Sequence, residues 1–554
     1  MLVNNPIELS SWIENIFTPS NCNTKSFLGK MLKGNKNGYV AFFVIAMACA
    51  FDTSCVAAMV ALNENIQQEF SISYTKATWG LTSYAITFAG FIAFFGRIGD
   101  IAGNHYLFIL STLVFSICSL LCATVPNFEA FAVFRAFQGI AGAGIVPSSY
   151  ALLPILFDDP EVTAKLLSVL SIVFAAFFGI GFILGGAFAM SSDGYKGLFY
   201  LVFAAMLAIF VSTYWLVWPL DKRIGNDTTW KEKRKQIKSL DYPGSFLFIA
   251  GSIFIVVGLT EGGESWKKPV AYVCFIVGIV LMTIFFAYNI WFDAFVRILE
   301  KGTLKRLHEF VSTRQILIPQ SVMELPNFWP AMITCFLNYC CFLSTFYIIN
   351  QYSLFEEDNS PIIASVKLLP VVVSLVISNG VPIFIPKCLN PKQGITLGFF
   401  LMFGSSLILI QVKEVETNLF WKLYFVTGLL CGLGSGLYFP FMLRITVGEA
   451  PMEYKGITSG VMQTFGQFGS EVTFSVLASI LGEVSGEKDM IKHRFQNTTY
   501  FTLATSALGL LLSIFCFRQP KTFVHDLEVL SSESEIEKVD TTNDTTGHKS
   551  SLDK

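Results

Sequence analysis

Apolar residues along the chain fall in long blocks separated by short polar stretches. Fourteen blocks can be read: 39–62, 78–98, 105–124, 130–153, 166–190, 197–219, 243–260, 269–292, 328–349, 361–386, 394–411, 418–443, 456–482 and 498–518. At a helical rise of 1.5 Å per residue, about 20 apolar residues cross the hydrocarbon of a bilayer. Inside lipid, only helices or a closed barrel satisfy their own backbone polar groups. Barrel strands alternate apolar and polar positions, whereas Ala85–Phe95 is continuously apolar or small. The pattern therefore predicts an all-α membrane protein with fourteen transmembrane helices. Pro and polar residues interrupt the 361–386 and 394–411 blocks, which leaves the count open by one pair.

The spacing of the blocks divides the chain into five parts. Residues 1–38 form an N-terminal segment, 39–219 a six-helix bundle, and 328–518 a second six-helix bundle. Between the bundles, residues 220–327 hold two charged linkers flanking two extra spans (243–260 and 269–292). Residues 519–554 form a polar tail, expected to be disordered. With the N-terminus in the cytosol, the cytosolic segments ahead of the last span carry 21 Lys and Arg against 8 on the opposite side. That bias predicts both termini inside. The basic run Lys231–Lys235 reads as an orientation signal, with lipid headgroups as an alternative partner. Residues 296–310 have the mixed apolar and basic pattern of an interfacial helix. Ser531–Glu535 is a candidate phosphate acceptor. Asn497 heads a glycosylation sequon on the outer side; Asn226 and Asn543 head two more on the predicted cytosolic side.

Composition narrows the function. Apolar residues make up 53% and charged residues 14%, with a mean hydropathy of +0.58 and net charge −2. No basic field exists to hold nucleic acid. The twelve Cys show no CxxC spacing, and of the five His only His105 touches a span, as its first residue, so neither haem nor zinc is expected in the bundle, and no metal. No phosphate-binding Gly-x-x-x-x-Gly-Lys-Ser/Thr loop is found. The chain is not expected to be an enzyme.

Ionisable side chains deep in a span are expensive and point to function. Asp52 lies near the middle of the first span, Glu471 at similar depth in the thirteenth, and Arg135 in the outer part of the fourth. A carboxylate gains or loses its proton according to burial and to the nearness of a positive charge. Asp52 with Arg135, and Glu471, are the candidates for proton coupling. The alternatives are a static Asp52–Arg135 pair and side chains that reach water. Lys367 and Lys422 lie near span ends and are expected to snorkel. Glycines at four-residue spacing (Gly181 and Gly185; Gly428, Gly432 and Gly436) mark helix faces that pack closely, and Gly186 adjoins the first set. The run Gly96-Arg97-Ile98-Gly99-Asp100-Ile101-Ala102-Gly103 is expected to form a tight loop after the second span. Its Arg97 and Asp100 would sit at the ends of neighbouring helices as a charge pair that gates conformation. Trp79, Phe88 and Phe465 are candidates to line a substrate pocket, with plain packing as the alternative.

These motifs resemble those of the major facilitator superfamily. Gly96, Asp100 and Gly103 match its loop motif, although Asn104 and His105 replace the usual basic pair. Arg135-Ala136-Phe137-Gln138-Gly139 is similar to its helix-4 R-x-x-Q-G motif, whose Arg is tied to proton coupling. Gly181-Phe182-Ile183-Leu184-Gly185-Gly186 resembles half of the antiporter motif, with Phe182 in place of its Pro and Phe177 in place of its first Gly. Asp52, Trp79, Tyr84 and Leu240–Gly244 look like the fourteen-helix drug:proton antiporter family. Pro451–Gly456 resembles the fungal branch of aminotriazole-resistance, borate-export and ammonium-transport proteins. The resemblance covers about residues 39–518. It implies two six-helix bundles with a cavity between them, plus two extra helices, fourteen in total. It further implies a proton-coupled secondary transporter that exports small toxic or drug-like molecules, with Asp52 as proton carrier, Arg135 as its counter-charge, and Glu471 meeting cationic substrate or a second proton. The alternatives are uptake or facilitated flux of a small solute such as ammonium or borate, and a nutrient sensor that does not transport. No cofactor beyond the proton gradient is expected. The expected partners are protons, a small-molecule substrate and the bilayer, and the chain is expected to be a monomer. A plasma-membrane location is expected, with the vacuole as alternative.

Overall fold

The computed structural model describes residues 36–72, 74–157, 159–217, 240–301, 316–318, 320–355, 357, 359–384, 390–413, 418–446, 450–451, 454–481 and 488–518. Residues 1–35, Lys231–Lys235, residues 302–310, the tail with Ser531–Glu535, Asn226 and Asn543 lie outside the described residues. Helices of six or more residues are numbered here in chain order. The first half holds α1 (Lys36–Ala61), the short α2 (Asn63–Phe70), α3 (Tyr74–Ala102), α4 (Asn104–Thr124), α5 (Phe128–Leu156), α6 (Pro160–Ala189) and α7 (Gly194–Val217). An extra pair follows, α8 (Tyr242–Glu264) and α9 (Pro269–Lys301). The second half holds α10 (Phe328–Phe355), α11 (Pro361–Val366), α12 (Leu369–Phe384), α13 (Pro391–Leu409), α14 (Phe425–Thr446), α15 (Lys455–Leu481) and α16 (Lys488–Phe515).

Thirteen helical segments among the described residues are long and apolar enough to cross a membrane. The 27-residue α15 stands apart because Gly, Ser, Thr, Gln and Glu471 dilute its apolar content. It is enclosed by α3, α8 and α10, so its polar atoms face protein rather than lipid, and it makes the fourteenth.

The two halves pair their helices in the same pattern. In the first, α1 packs on α6 and α7, α5 on α3 and α4, and α4 on α7. In the second, α10 packs on α15 and α16, α14 on α12 and α13, and α13 on α16. The chain thus repeats one helix arrangement in two units. The halves meet through α3 against α15 and through α6 against α11 and α12. The extra pair α8–α9 lies outside this junction, with α8 seated on both α3 and α15.

Lipid supplies no hydrophobic drive for helix pairing, so close approach and dispersion hold the crossings together. A Cβ at Gly181 would lie 2.6 Å from the Ser54 carbonyl oxygen, and one at Gly185 2.5 Å from that of Ala58. These two glycines therefore set α6 on α1. Gly428, Gly432 and Gly436 do the same for α14 on α12, where Gly436 leaves no room for a Cβ beside the Leu375 carbonyl (2.6 Å). Ser374 and Ser378 of α12 donate to the Gly428 and Gly432 carbonyls at 3.3 and 3.2 Å. Gly186 differs, since its nearest neighbour, Ile362, would be at an ordinary 3.7 Å.

Three local expectations change. First, Gly96–Ala102 is not a loop. α3 continues through it to Ala102, and only Gly103, at φ 112°, turns the chain into α4. Arg97 and Asp100 thus share one helix and do not sit on neighbouring ones. The glycines serve close approach at Gly96 rather than chain reversal there. Second, α9 runs on past residue 292 to Lys301, because no Gly or Pro stops it. Third, the 361–386 block is two helices, broken at Lys367–Leu368 just ahead of Pro370, whose ring nitrogen cannot donate a helical hydrogen bond. Lys367 does not merely snorkel. Its Nζ meets Glu357 at 2.6 Å, and Tyr424 donates to the same carboxylate at 3.1 Å.

Candidate functional site

α1, α3 and α5 bring three polar side chains together inside the first half. Asp52 is 3% exposed and Arg135 is fully buried. They do not form an ion pair. Tyr84 of α3 stands between them: its hydroxyl donates to Asp52 Oδ1 at 2.5 Å, and the Arg135 guanidinium lies 4.8 Å from the centre of its ring. Arg135 Nε donates to the Gly80 carbonyl at 2.9 Å, and Nη1 donates to Gln138 Oε1 at 2.5 Å and to Cys55 Sγ at 3.8 Å. Gln138 passes the network on to Ser119 at 2.8 Å. Arg135 Nη2 has no hydrogen-bond partner. No carboxylate lies within ion-pairing distance of Arg135 among the described residues, so a buried positive charge rests on carbonyl, amide, sulfur and ring dipoles. Such an arrangement is costly unless something else offsets it.

Two glycines of α5 make the cluster possible. A Cβ at Gly142 would strike the Tyr84 hydroxyl and come within 3.0 Å of Asp52 Oδ1; one at Gly139 would strike the Tyr84 carbonyl and Thr87. The glycines that follow Arg135 are therefore the space into which α3 and the Tyr84–Asp52 pair fit. Phe88, one turn from Tyr84, stacks on it at 5.6 Å and 19°.

The other candidate residues lie elsewhere. Glu471, 5% exposed, sits on α15 beside Thr260 of the extra helix α8. It is not gathered with Asp52 and Arg135. Trp79 belongs to an apolar cluster of Ile86, Ala89, Val256 and Phe468 at the same α3–α8–α15 junction. Phe465 is half-buried with its ring 6.2 Å from that of Phe468. Of the three aromatic candidates, only Phe88 stands at the acid.

The Gly96–Gly103 motif joins the two halves on the face predicted to be cytosolic. The α15 backbone reaches α3 at Gly96, where a Cβ would lie 2.5 Å from the Gly456 carbonyl oxygen. Asp100 accepts from the Ile457 amide at 3.2 Å, at the positive end of α15. Arg97 lies over the Tyr454 ring at 5.0 Å. Gly460 and Thr464 continue the contact onto Ala93 and Ala89. On the opposite face, Phe178 and Phe182 of α6 interlock with Phe346 of α10 at 5.5 and 4.7 Å. Phe182, which replaces the proline of the antiporter motif, is thus a contact between halves.

The Major Facilitator Superfamily model matches residues 41–473. The chain belongs to this superfamily. Its helices superpose on the crystal structure of the human organic anion transporter MFSD10 (TETRAN) with a TM-score of 0.56 at 12% identity, covering 86% of this chain and 99% of that one. At that identity the likeness concerns the fold alone. Among curated relatives, the efflux pump DEP3 of Alternaria brassicicola is 25% identical over 74% of this chain and 69% of its own. The puromycin resistance protein pur8 of Streptomyces alboniger is 24% identical over 75% and 76%. The two relatives are named as an efflux pump and an antibiotic-resistance protein.

Sequence reasoning named Asp52 and Arg135 but missed what lies between them. Tyr84 was visible only as a family feature, because its partner is 32 positions away. Gln138 had a signal in the R-x-x-Q spacing. Thr260 had none, since nothing in the sequence says which face of α15 meets the extra helices.

Proposed function

We propose that this superfamily member is a proton-coupled exporter of small toxic or drug-like molecules, working by alternating access. One observation carries the reading: a carboxyl group, Asp52, is buried in a transmembrane helix without a cationic partner, on a hydrogen bond from Tyr84. A group so placed exchanges its charge cheaply when the halves rearrange, because neither protonation state is clamped by an ion pair. Relatives named for efflux and for antibiotic resistance support export. Asp52 carries the proton, and Arg135 supplies positive charge to the same cluster. The contacts at Gly96, Asp100 and Gly456 open and close one face; those of Phe182 and Phe346 do so on the other. Glu471 is a second acid for a cationic substrate or a further proton, reached from the α8 side of α15. No cofactor is needed beyond the proton gradient. The transporter acts as a monomer in the plasma membrane with both termini cytosolic.

The test is a flux screen on purified protein in sealed proteoliposomes with an imposed pH gradient, over dyes, azoles, borate, ammonium and basic amino acids. The reading expects gradient-driven efflux of dyes or azoles. Gradient-independent flux confined to borate or ammonium, or no flux of any compound, overturns it.

A further inference from the structure

We propose that Tyr84 is the positioning residue through which the charge of Asp52 is passed to Arg135. The inference rests on the reading of Asp52 as the proton carrier. The phenol touches both charges at once, with its hydroxyl on Asp52 Oδ1 at 2.5 Å and its ring face under the Arg135 guanidinium at 4.8 Å. No ion pair joins the two directly: Arg135 acts on Asp52 only through space, and its hydrogen bonds go to Gly80, Gln138 and Cys55. An ionised Asp52 holds the phenol by a charge-assisted hydrogen bond, about twice as strong as a neutral one. A proton on Asp52 removes that assistance. The phenol, whose hydroxyl fills the space that Gly142 makes for it, is then held less firmly, and the guanidinium lying over its ring loses part of its support. The proton on α1 is thereby read out on α5, through α3, which is the helix that meets α15 of the other half.

The titratable and charged groups that face Asp52 are Tyr84 from α3, Arg135 from α5, and the thiols of Cys49 and Cys55 on its own helix. Both thiols are engaged elsewhere, Cys49 donating to Ser149 and Cys55 accepting from Arg135 and Gln138. The phenol is therefore the one strong donor to the carboxylate among these groups.

The test reads Asp52 directly and needs no substrate. Dicyclohexylcarbodiimide modifies protonated buried carboxyl groups, and peptide mass spectrometry of the purified full chain follows modification of Asp52 against pH. Tyr84→Phe keeps the ring and removes the hydroxyl, so the carboxylate loses its donor; the midpoint of modification moves up by about one pH unit. Gly142→Ala leaves Tyr84 chemically intact but pushes its hydroxyl off Asp52, and it moves the midpoint in the same direction. Arg135→Gln also moves the midpoint, and by less when Tyr84→Phe is present, because part of its influence travels through the phenol. Modification with an unchanged midpoint in both Tyr84→Phe and Gly142→Ala overturns the inference while leaving Asp52 as proton carrier. Strictly additive shifts for Arg135→Gln and Tyr84→Phe overturn the link to Arg135. Failure of Asp52 to be modified at any pH in the parent protein overturns the proton-carrier reading itself, and this inference with it.

Discussion

Asp52 is set 3% exposed in the first half with a single phenolic donor on one oxygen, so gaining or losing its proton weakens or strengthens one hydrogen bond and breaks no ion pair. Asp52→Asn keeps the shape and removes the exchangeable proton. It should abolish uphill flux driven by a pH gradient while downhill flux of the same compound persists; proteoliposomes with and without the gradient separate the two. Full uphill transport by the variant would remove Asp52 from the coupling. Glu471 has another setting, beside Thr260 on the extra helix. Glu471→Gln should weaken export of cationic compounds more than of neutral ones, as read by competition between a cationic dye and a neutral azole. Equal loss for both would give Glu471 a packing role only.

At the scale of the element, glycine spacing decides how helices lie on one another. Gly428, Gly432 and Gly436 were legible as a four-residue repeat, and α12 is the helix they meet. The repeat itself could not name that partner, because a small face fits any helix that presents a complementary ridge. Gly432→Val would drive side-chain atoms into the Val371 carbonyl. Overpacking of this kind costs about 1–3 kcal/mol, and a lowered unfolding temperature in detergent is the expected readout, with little change for Gly404→Ala, where a Cβ meets nothing within 4 Å. The Gly96–Gly103 run shows the opposite difficulty. Its glycines read as a turn, since glycine favours turns when judged locally. Only Gly103 turns the chain; Gly99 makes room for Asn104 and Leu107 of α4, and Gly96 lets α15 lie against the end of a continuous helix, a demand that comes from a segment more than 350 positions away.

On the scale of the whole molecule, the halves touch at both faces, through α3 and α15 on one and α6 and α10 on the other. Alternating access requires these contacts to part in turn. Cysteines introduced together at Ala93 and Gly460, which are in backbone contact, should cross-link under oxidant, stop flux, and release it again under reductant. Continued flux with the cross-link complete would mean that the α3–α15 junction does not move during transport.

The amino-acid order alone determined that this chain lives in lipid, that it crosses in helices grouped as two sets of six around an extra pair, to within one pair of spans, and that Asp52, Arg135 and Glu471 are the charges to explain. All of these follow from blocks of about 20 apolar residues and from the cost of a charge in hydrocarbon, which act along the chain or on one residue at a time. Only the tertiary structure decided that a phenol separates Asp52 from Arg135, that Glu471 faces the extra helix, and that Phe182 has become a contact between halves. Each of these depends on the rotation of one helix about its own axis against another. A span that is apolar nearly all round carries no strong stripe to fix that rotation, so it is set by small residues and polar atoms meeting across distant segments.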